Sequence, residues 1–459
     1  GQSLVFCTAL NRVIALDPTT GIQRWKFSAE IDIGLPTDRL ICRGIAYRKD
    51  LATPKEKPCR HSLFMGTKDL RLINLDALTG IPCPKFGVAG ELNLLPEIHG
   101  DTPDLAIGDL QFISAPVVVG NTVITGFADN SKFWRMDSPS GAVRAYDARN
   151  GELRWIFDPV PRNAGDPQAE NWDAESLKKT GGANVWSMIS VDTERNMVFL
   201  PTATAGPNNY GGERLGDNRY ANSVVALDAA TGNVVWHFQA VHHDVWDLDL
   251  PSQPILVDIQ KEGETIPVVV QLTKMGLVFV LHRETGIPVF PVEERSVPTD
   301  SVVEGEVLSP TQPFPVKPEP LGKVGISLDD AWGYTAIDRN GCRSEMEKFR
   351  LGGLYEPPTL QGTLMMPGGS INNWGGGAYD PNTNALIIPI NQVPTFLKMF
   401  VTADIPAETL AKPRIGPIGP PTPIAGSKYA YQMAPLLSMF MSPCTAPPWG
   451  ELAAINMDS

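Results

Sequence analysis

A recurring pattern runs along the chain: an apolar stretch closing on Asp, a few polar residues, a Gly, then a second apolar stretch that usually carries an aromatic side chain. It passes from Ala15-Leu16-Asp17 through Gly21 to Trp25, from Asn74-Leu75-Asp76 to Gly80, and from Ala145-Tyr146-Asp147 through Gly151 to Trp155. It returns from Ala226-Leu227-Asp228 through Gly232 to Trp236, and from Val280-Leu281-His282 through Gly286 to Phe290. The phrase predicts a β-hairpin whose Asp caps the turn, whose Gly takes the left-handed position and whose aromatic docks between neighbouring sheets. A lone copy cannot bury its faces, so the copies must stack. Spacings of roughly 55 to 80 residues suit a four-stranded antiparallel blade with insertions, the unit of a β-propeller; a solenoid needs shorter, more uniform periods.

The expected fold is therefore all-β, a single propeller domain over residues 1–459. Pro-rich stretches around 300–325 and 400–445, including Pro310-Thr311-Gln312-Pro313-Phe314-Pro315, read as loops over the propeller faces. Ala454 to Ser459 looks like a further copy that stops before its Gly, and Gly1 to Phe6 already reads as a strand. An incomplete ring, truncated at both ends, is the expectation, with no signal peptide within these residues.

Composition narrows the class. The 42 Gly and 42 Pro favour short strands joined by tight turns. A net charge of −13 argues against nucleic acid or an anionic membrane surface as principal partner. No apolar run is long enough to span a bilayer as a helix. The 6 Cys are widely spaced with no C-x-x-C pair, which disfavours zinc-finger and thioredoxin readings and leaves one or two disulfides in an oxidising compartment as the expectation.

The candidate chemistry lies in His242-His243-Asp244-Val245-Trp246-Asp247-Leu248-Asp249-Leu250-Pro251, followed by Lys274 on an otherwise apolar strand. Like-charged carboxylates repel and buried ones need partners, so this clustering suggests a site where proton affinities are being set. Zinc is disfavoured: adjacent histidines on an extended segment point to opposite sides, and no third His or Cys lies at ligand spacing. Trp25, Trp155 and Trp236 belong to the repeat and are assigned to the core, whereas Trp186 stands outside it.

The repeat and the His242 block together resemble the quinoprotein dehydrogenases, which use pyrroloquinoline quinone (PQQ) inside an eight-bladed propeller, and within them the glucose, quinate and shikimate dehydrogenase branch. Further matching blocks are Cys42-Arg43-Gly44, Gly211-Gly212-Glu213-Arg214, Thr311-Gln312-Pro313-Phe314, Asn373-Trp374-Gly375-Gly376 and Pro447-Pro448-Trp449-Gly450. The resemblance implies oxidation of the CH–OH group of a sugar, polyol or cyclic alcohol, with hydride passing to the quinone carbonyl while a base takes the hydroxyl proton. It assigns the base to Asp247, whose neighbours Asp244 and Asp249 would raise its proton affinity, and a quinone-binding role to Lys274. Trp186 becomes the stacking platform, with Asn391, Asn373 and Trp374 near the quinone. Asp129 and Asn130 resemble a metal-linked pair for Ca²⁺ or Mg²⁺.

Two positions depart from the family pattern. Arg39 stands where the glucose enzyme carries a histidine over the cofactor, and Thr204 where the alcohol dehydrogenase branch carries an asparagine metal ligand. The residues also admit plainer roles: a turn cap for Asp247, a core salt bridge for Lys274, core packing for Trp186, an Asx turn for Asp129-Asn130. A non-catalytic scaffold of the outer-membrane assembly lipoprotein kind would need the repeat but not the His242 block; an inactive quinoprotein fragment is the other alternative. The family implies a quinone electron acceptor, periplasmic residence, and membrane contact or inner-membrane anchoring through an N-terminal region outside these residues. Substrate choice is expected to depend on the loops Ser131 to Gly141 and Asn208 to Ala221.

Overall fold

The computed structural model describes residues 3–31, 40–101, 108–162, 165–368, 370–413 and 419–457. The repeated phrase forms hairpins by the expected chemistry. Asp17 Oδ1 accepts from the Thr19 and Thr20 amides at 3.0 and 2.9 Å, and Gly21 follows at φ +72°. Asp228 does the same for Ala230 and Thr231 at 3.0 and 2.8 Å, with Gly232 at φ +74°. Each turn joins two strands of an antiparallel sheet, as in Arg12–Leu16 with Gln23–Ser28 and Ser223–Asp228 with Val234–Gln239.

Successive sheets are fastened by the tryptophans. Trp155 lies against Gly232 of the following copy and donates its indole N–H to the Ala229 carbonyl at 3.1 Å. Trp236 repeats the contact on Gly286 and donates to the Arg283 carbonyl at 3.0 Å. Trp25 lies against Gly80 in the same way. Each of these three tryptophans therefore docks on the next hairpin's glycine, where a side chain would collide with the ring.

This stacking yields a β-propeller of antiparallel sheets. The four-stranded arrangement is regular in Ala46–Lys49, His61–Gly66, Arg71–Asp76 and Glu91–Asn93, in Val117–Val119, Thr122–Thr125, Val143–Asp147 and Leu153–Phe157, and again in Ser190–Asp192, Met197–Pro201, Ser223–Asp228 and Val234–Gln239. Elsewhere it varies: Ile255–Lys261, Glu264–Leu272 and Val278–His282 make a three-stranded sheet, and a five-stranded sheet is built around Thr395–Val401. The cores between sheets are Val, Ile, Leu and aromatic side chains, such as Phe199, Trp236, Val269 and Phe279.

Two expectations change. Thr311–Pro315, read as loop, is a strand paired with Val292–Ser296, a lone two-stranded ribbon of the kind that tolerates proline. All six cysteines pair, as Cys7–Cys42, Cys59–Cys83 and Cys342–Cys444, because the fold brings together residues whose spacing in sequence is uninformative. Ala454 to Asn456 end the strand Gly450–Asn456, paired with Ala385–Asn391.

The docking contact is testable. Gly232→Ala places a Cβ about 2.6 Å from the Trp155 ring at a left-handed residue, whereas Gly21→Ala meets nothing within 4 Å. Gly21→Ala should cost about 1–2 kcal/mol, and Gly232→Ala a further 1–3 kcal/mol, roughly, read from urea unfolding midpoints at unchanged slope.

Candidate active site

A cavity of about 930 Å³ opens where inner loops of several sheets meet, lined among others by Arg43, Asp129, Asn130, Lys132, Trp186, Asp247, Asp249, Lys274, Asn373 and Trp374. Most of the residues singled out in the sequence are thus brought together from points spread over most of the chain.

Asp247 sits in a tight turn with φ +63°, a left-handed conformation for a residue with a side chain. The turn is tied by Asp244, whose carboxylate accepts from the Trp246 and Leu248 amides at 2.8 and 2.7 Å and from Asn222 Nδ2 at 2.8 Å. Asp247 Oδ1 accepts from Asn208 Nδ2 at 2.7 Å, and its Oδ2 lies 3.1 Å from Lys274 Nζ, which also donates to the Asp247 carbonyl at 2.5 Å. Lys274 extends from the residues just after the strand Glu264–Leu272, and its side chain is 5% exposed.

Asp249 lies beneath this pair. It accepts from the Thr204 amide at 2.6 Å and the Trp186 indole N–H at 2.9 Å, and sits 3.3 Å from buried Lys132 and 3.8 Å from Lys274. Two carboxylates and two ammonium groups therefore share one dry site. Burial, then the Asp249 and Asp244 charges, push Asp247 up to about 6, with Lys274 and Lys132 opposing. Asp249 is desolvated too, but Lys132, Lys274 and its bonds to Thr204 hold it below the ordinary carboxylate range. Lys274 loses solvation, yet Asp247 and Asp249 raise its affinity for the proton. Two neighbouring aspartates are thereby split into one that holds its proton into the mildly acidic range and one that stays ionised.

Trp186 forms one wall. The Arg43 guanidinium lies 5.2 Å from its ring centroid and 4.8 Å from that of Trp374, so a cation is held between two indoles. Asn373 Oδ1 accepts from the Trp374 amide at 2.8 Å. Asp129 Oδ1 accepts from the Ser131 amide and hydroxyl at 2.8 and 2.7 Å, the Asx geometry expected of a turn, but its Oδ2 is buried without a partner. Burial raises Asp129 to about 6. Asn130 donates to the Gly108 carbonyl at 3.1 Å.

Two of the predicted site residues are not on the wall. Thr204 is buried with its hydroxyl donated to Asp244, so it supports the turn and not the cavity surface. Asn391 ends the strand Ala385–Asn391 with an exposed side chain and its amide bonded to the Ile371 carbonyl. Arg39 lies outside the described residues. Sequence reasoning missed Lys132, Asn208 and the placement of Arg43. Arg43 was visible within the Cys42-Arg43-Gly44 block, but nothing local marks Lys132 or Asn208 as partners of residues more than a hundred and some forty positions away, respectively.

The site fits a planar, anionic, oxygen-rich cofactor. It offers an indole wall, the Arg43 and Lys274 cations, and the orphaned buried oxygens Asp129 Oδ2 and Asn184 Oδ1. Among the described residues no three His, Cys, Asp or Glu side chains converge. A cation beside Asp129 would need oxygens from another source, such as cofactor carboxylates.

The structure is thus a β-propeller with a buried Asp–Lys cluster beside an indole-walled cavity. Residues 1–459 match the PQQ family model described as the glucose/ethanol/alcohol dehydrogenase β-propeller domain, and the chain belongs to that family. It is 33% identical to quinoprotein glucose dehydrogenase A of Acinetobacter calcoaceticus, over 100% of this chain and 58% of that protein. It is 34% identical to the quinate/shikimate dehydrogenase (quinone) of Acinetobacter baylyi, over 100% of this chain and 58% of that protein. The solved quinohemoprotein alcohol dehydrogenase of Comamonas testosteroni superposes with a TM-score of 0.63 at 24% identity, over 99% of this chain and 58% of that one, a likeness of fold. The chain thus spans less than three fifths of the length of these relatives.

The split aspartates predict a titration. Folded Asp247 binds a proton up to about pH 6 that the unfolded chain releases near its ordinary 3.8. The stability this carboxyl contributes is present below pH 4, roughly, and is lost as pH rises through about 6. Carboxyl NMR should find that step abolished in Asp247→Asn, moved down in Asp249→Asn and moved up in Lys274→Met.

Proposed function

We propose that the protein is a PQQ-dependent dehydrogenase that oxidises the CH–OH group of a sugar, polyol or cyclic alcohol and delivers the electrons to a quinone acceptor. The carrying observation is Asp247, a carboxylate of raised proton affinity, set against Lys274 on the wall of a cavity large enough for a cofactor and a small substrate. When bound, PQQ supplies an ortho-quinone able to accept the substrate's hydride. Trp186 would support its plane, Arg43 would pair with carboxylates, and Lys274 would hydrogen-bond quinone oxygens. Asp129 Oδ2, with Asn130, is the natural ligand for Ca²⁺ or Mg²⁺.

Asp247 has the two properties a proton acceptor requires here. Its carboxylate is fixed, by Asn208 at one oxygen and Lys274 at the other, and its proton affinity is lifted towards neutrality, so it takes a hydroxyl proton without holding one permanently. Asp249 stays charged, holds the Trp186 indole and balances Lys132 and Lys274. A propeller scaffold would require none of this buried charge, whose desolvation is costly. Three disulfides support residence in an oxidising compartment such as the periplasm. Membrane contact through an N-terminal region beyond these residues is part of the same reading.

Titration of the metal-supplemented protein with PQQ should quench tryptophan emission saturably at about 1:1 stoichiometry, and Trp186→Ala should weaken binding by about 10-fold or more. Asp247→Asn should retain PQQ within about threefold while dye reduction with responsive alcohols falls by about 10²–10⁴-fold. Absence of PQQ binding in the wild type would refute the proposal.

A further inference from the structure

A second buried pair of polar side chains lies behind the Asp247 turn. The side chains of His243 and Glu306 are 1% and 4% exposed, and Nε2 of the imidazole is 2.8 Å from Glu306 Oε1. His243 Nδ1 is 2.8 Å from the Gly216 carbonyl. A carbonyl and a carboxylate thus hold the ring at both nitrogens and fix its plane. Glu306 Oε2 accepts from the Gly211 amide at 2.8 Å. Burial would raise the Glu306 carboxyl, but His243, the Gly211 amide and Arg214 hold it below its ordinary value.

The carboxylate arrives on a segment anchored by buried Val303 and Leu308, between exposed Val302, Glu304, Gly305 and Val307. A buried carboxylate is a poor source of net stability, because desolvation consumes most of what its partners return; what such a contact supplies is fixed geometry. The geometry within reach is that of Asp247. His243 has φ +45° and Asp247 φ +63°, two left-handed residues at the ends of one short turn. Such a backbone is unfavourable for residues with side chains and persists only where its surroundings over-determine it. Fully buried Arg214 completes the support, donating to the carbonyls of Pro207 at 3.2 Å and of Asp244. Asn208, next to Pro207, donates to Asp247 Oδ1.

We infer that Glu306, acting through His243, is a positioning residue that braces the Asp247 turn, and that Gly211 is glycine because the brace crosses over it. A Cβ at Gly211 would lie 2.3 Å from His243 Nε2 and 2.8 Å from Glu306 Oε1. Gly211 has no left-handed φ, so alanine there acts by contact alone. The catalytic part of this inference rests on the reading of Asp247 as proton acceptor; the brace itself does not.

The test compares wild type, Glu306→Gln and Gly211→Ala. The amide introduced by Glu306→Gln has only one acceptor oxygen for the two donors, and Gly211→Ala separates the pair while removing neither group. Hydrogen exchange at the Trp246 and Leu248 amides should quicken by about 10-fold or more in both variants, while amides of Glu264–Leu272 keep wild-type protection. In dye reduction kcat should fall by about 10- to 100-fold, with KM and PQQ affinity held within about threefold, and the double variant should be no worse than the worse single one. Wild-type protection at Trp246 and Leu248 in both variants would overturn the brace, and unchanged kcat in both would overturn its catalytic part. A protection loss spread evenly over the strands would overturn the brace too, since it reports global destabilisation. Should Glu306→Gln fail to fold, Gly211→Ala decides. Should the wild type bind no PQQ, the functional reading fails and the exchange data alone judge the brace.

Discussion

Everything at the centre of this molecule depends on the contact of a tryptophan in one sheet with a glycine in the next. The indole needs a flat face free of side chains, and only a glycine in a tight turn offers that while accepting a left-handed backbone. Because the same contact recurs at Gly80, Gly232 and Gly286, neighbouring sheets are held at a repeated relation and their inner loops converge. Residues from Arg43 to Trp374 thereby meet in one cavity although they come from well-separated stretches of the chain.

Convergence places charges where water is scarce, and the site is organised around that difficulty. Asp247, Asp249, Lys132 and Lys274 satisfy one another, and the arrangement is uneven: Asp249 has the Thr204 amide, the Trp186 indole and both lysines, while Asp247 has Asn208 and chiefly Lys274. The better-paired carboxylate stays ionised and raises the proton affinity of the other. The His243–Glu306 pair applies the same chemistry one layer out, where its product is shape and not proton affinity.

The fold and much of the site were legible from residues. The hairpin phrase was readable because Asp capping and a left-handed Gly are local events, complete within a few residues. The Asp247 turn and Lys274 were readable because clustered carboxylates and a lysine among apolar residues are locally costly, although Lys274 sits in the turn after Glu264–Leu272 and not on a strand. Asn391 and Thr204 show the limit: a turn-forming Asn and a buried Thr look alike whether they face a cavity or a backbone. The strand at Thr311–Pro315 was hidden by prolines that usually mark loops, and the cysteine pairs by separations of 24 to 102 residues.

By itself the sequence determined the unit of structure, the way one unit grips the next, and the residues whose burial would need compensation. Only the tertiary structure decided which partners compensate them: Lys132 for Asp249, Asn208 for Asp247, Glu306 for His243, and Arg43 between two indoles. The reason is physical. Hairpin geometry is set by torsions of adjacent residues, whereas the proton affinity of a buried group is set by every charge within a few ångströms, and those charges are delivered by the closure of sheets far apart in the chain.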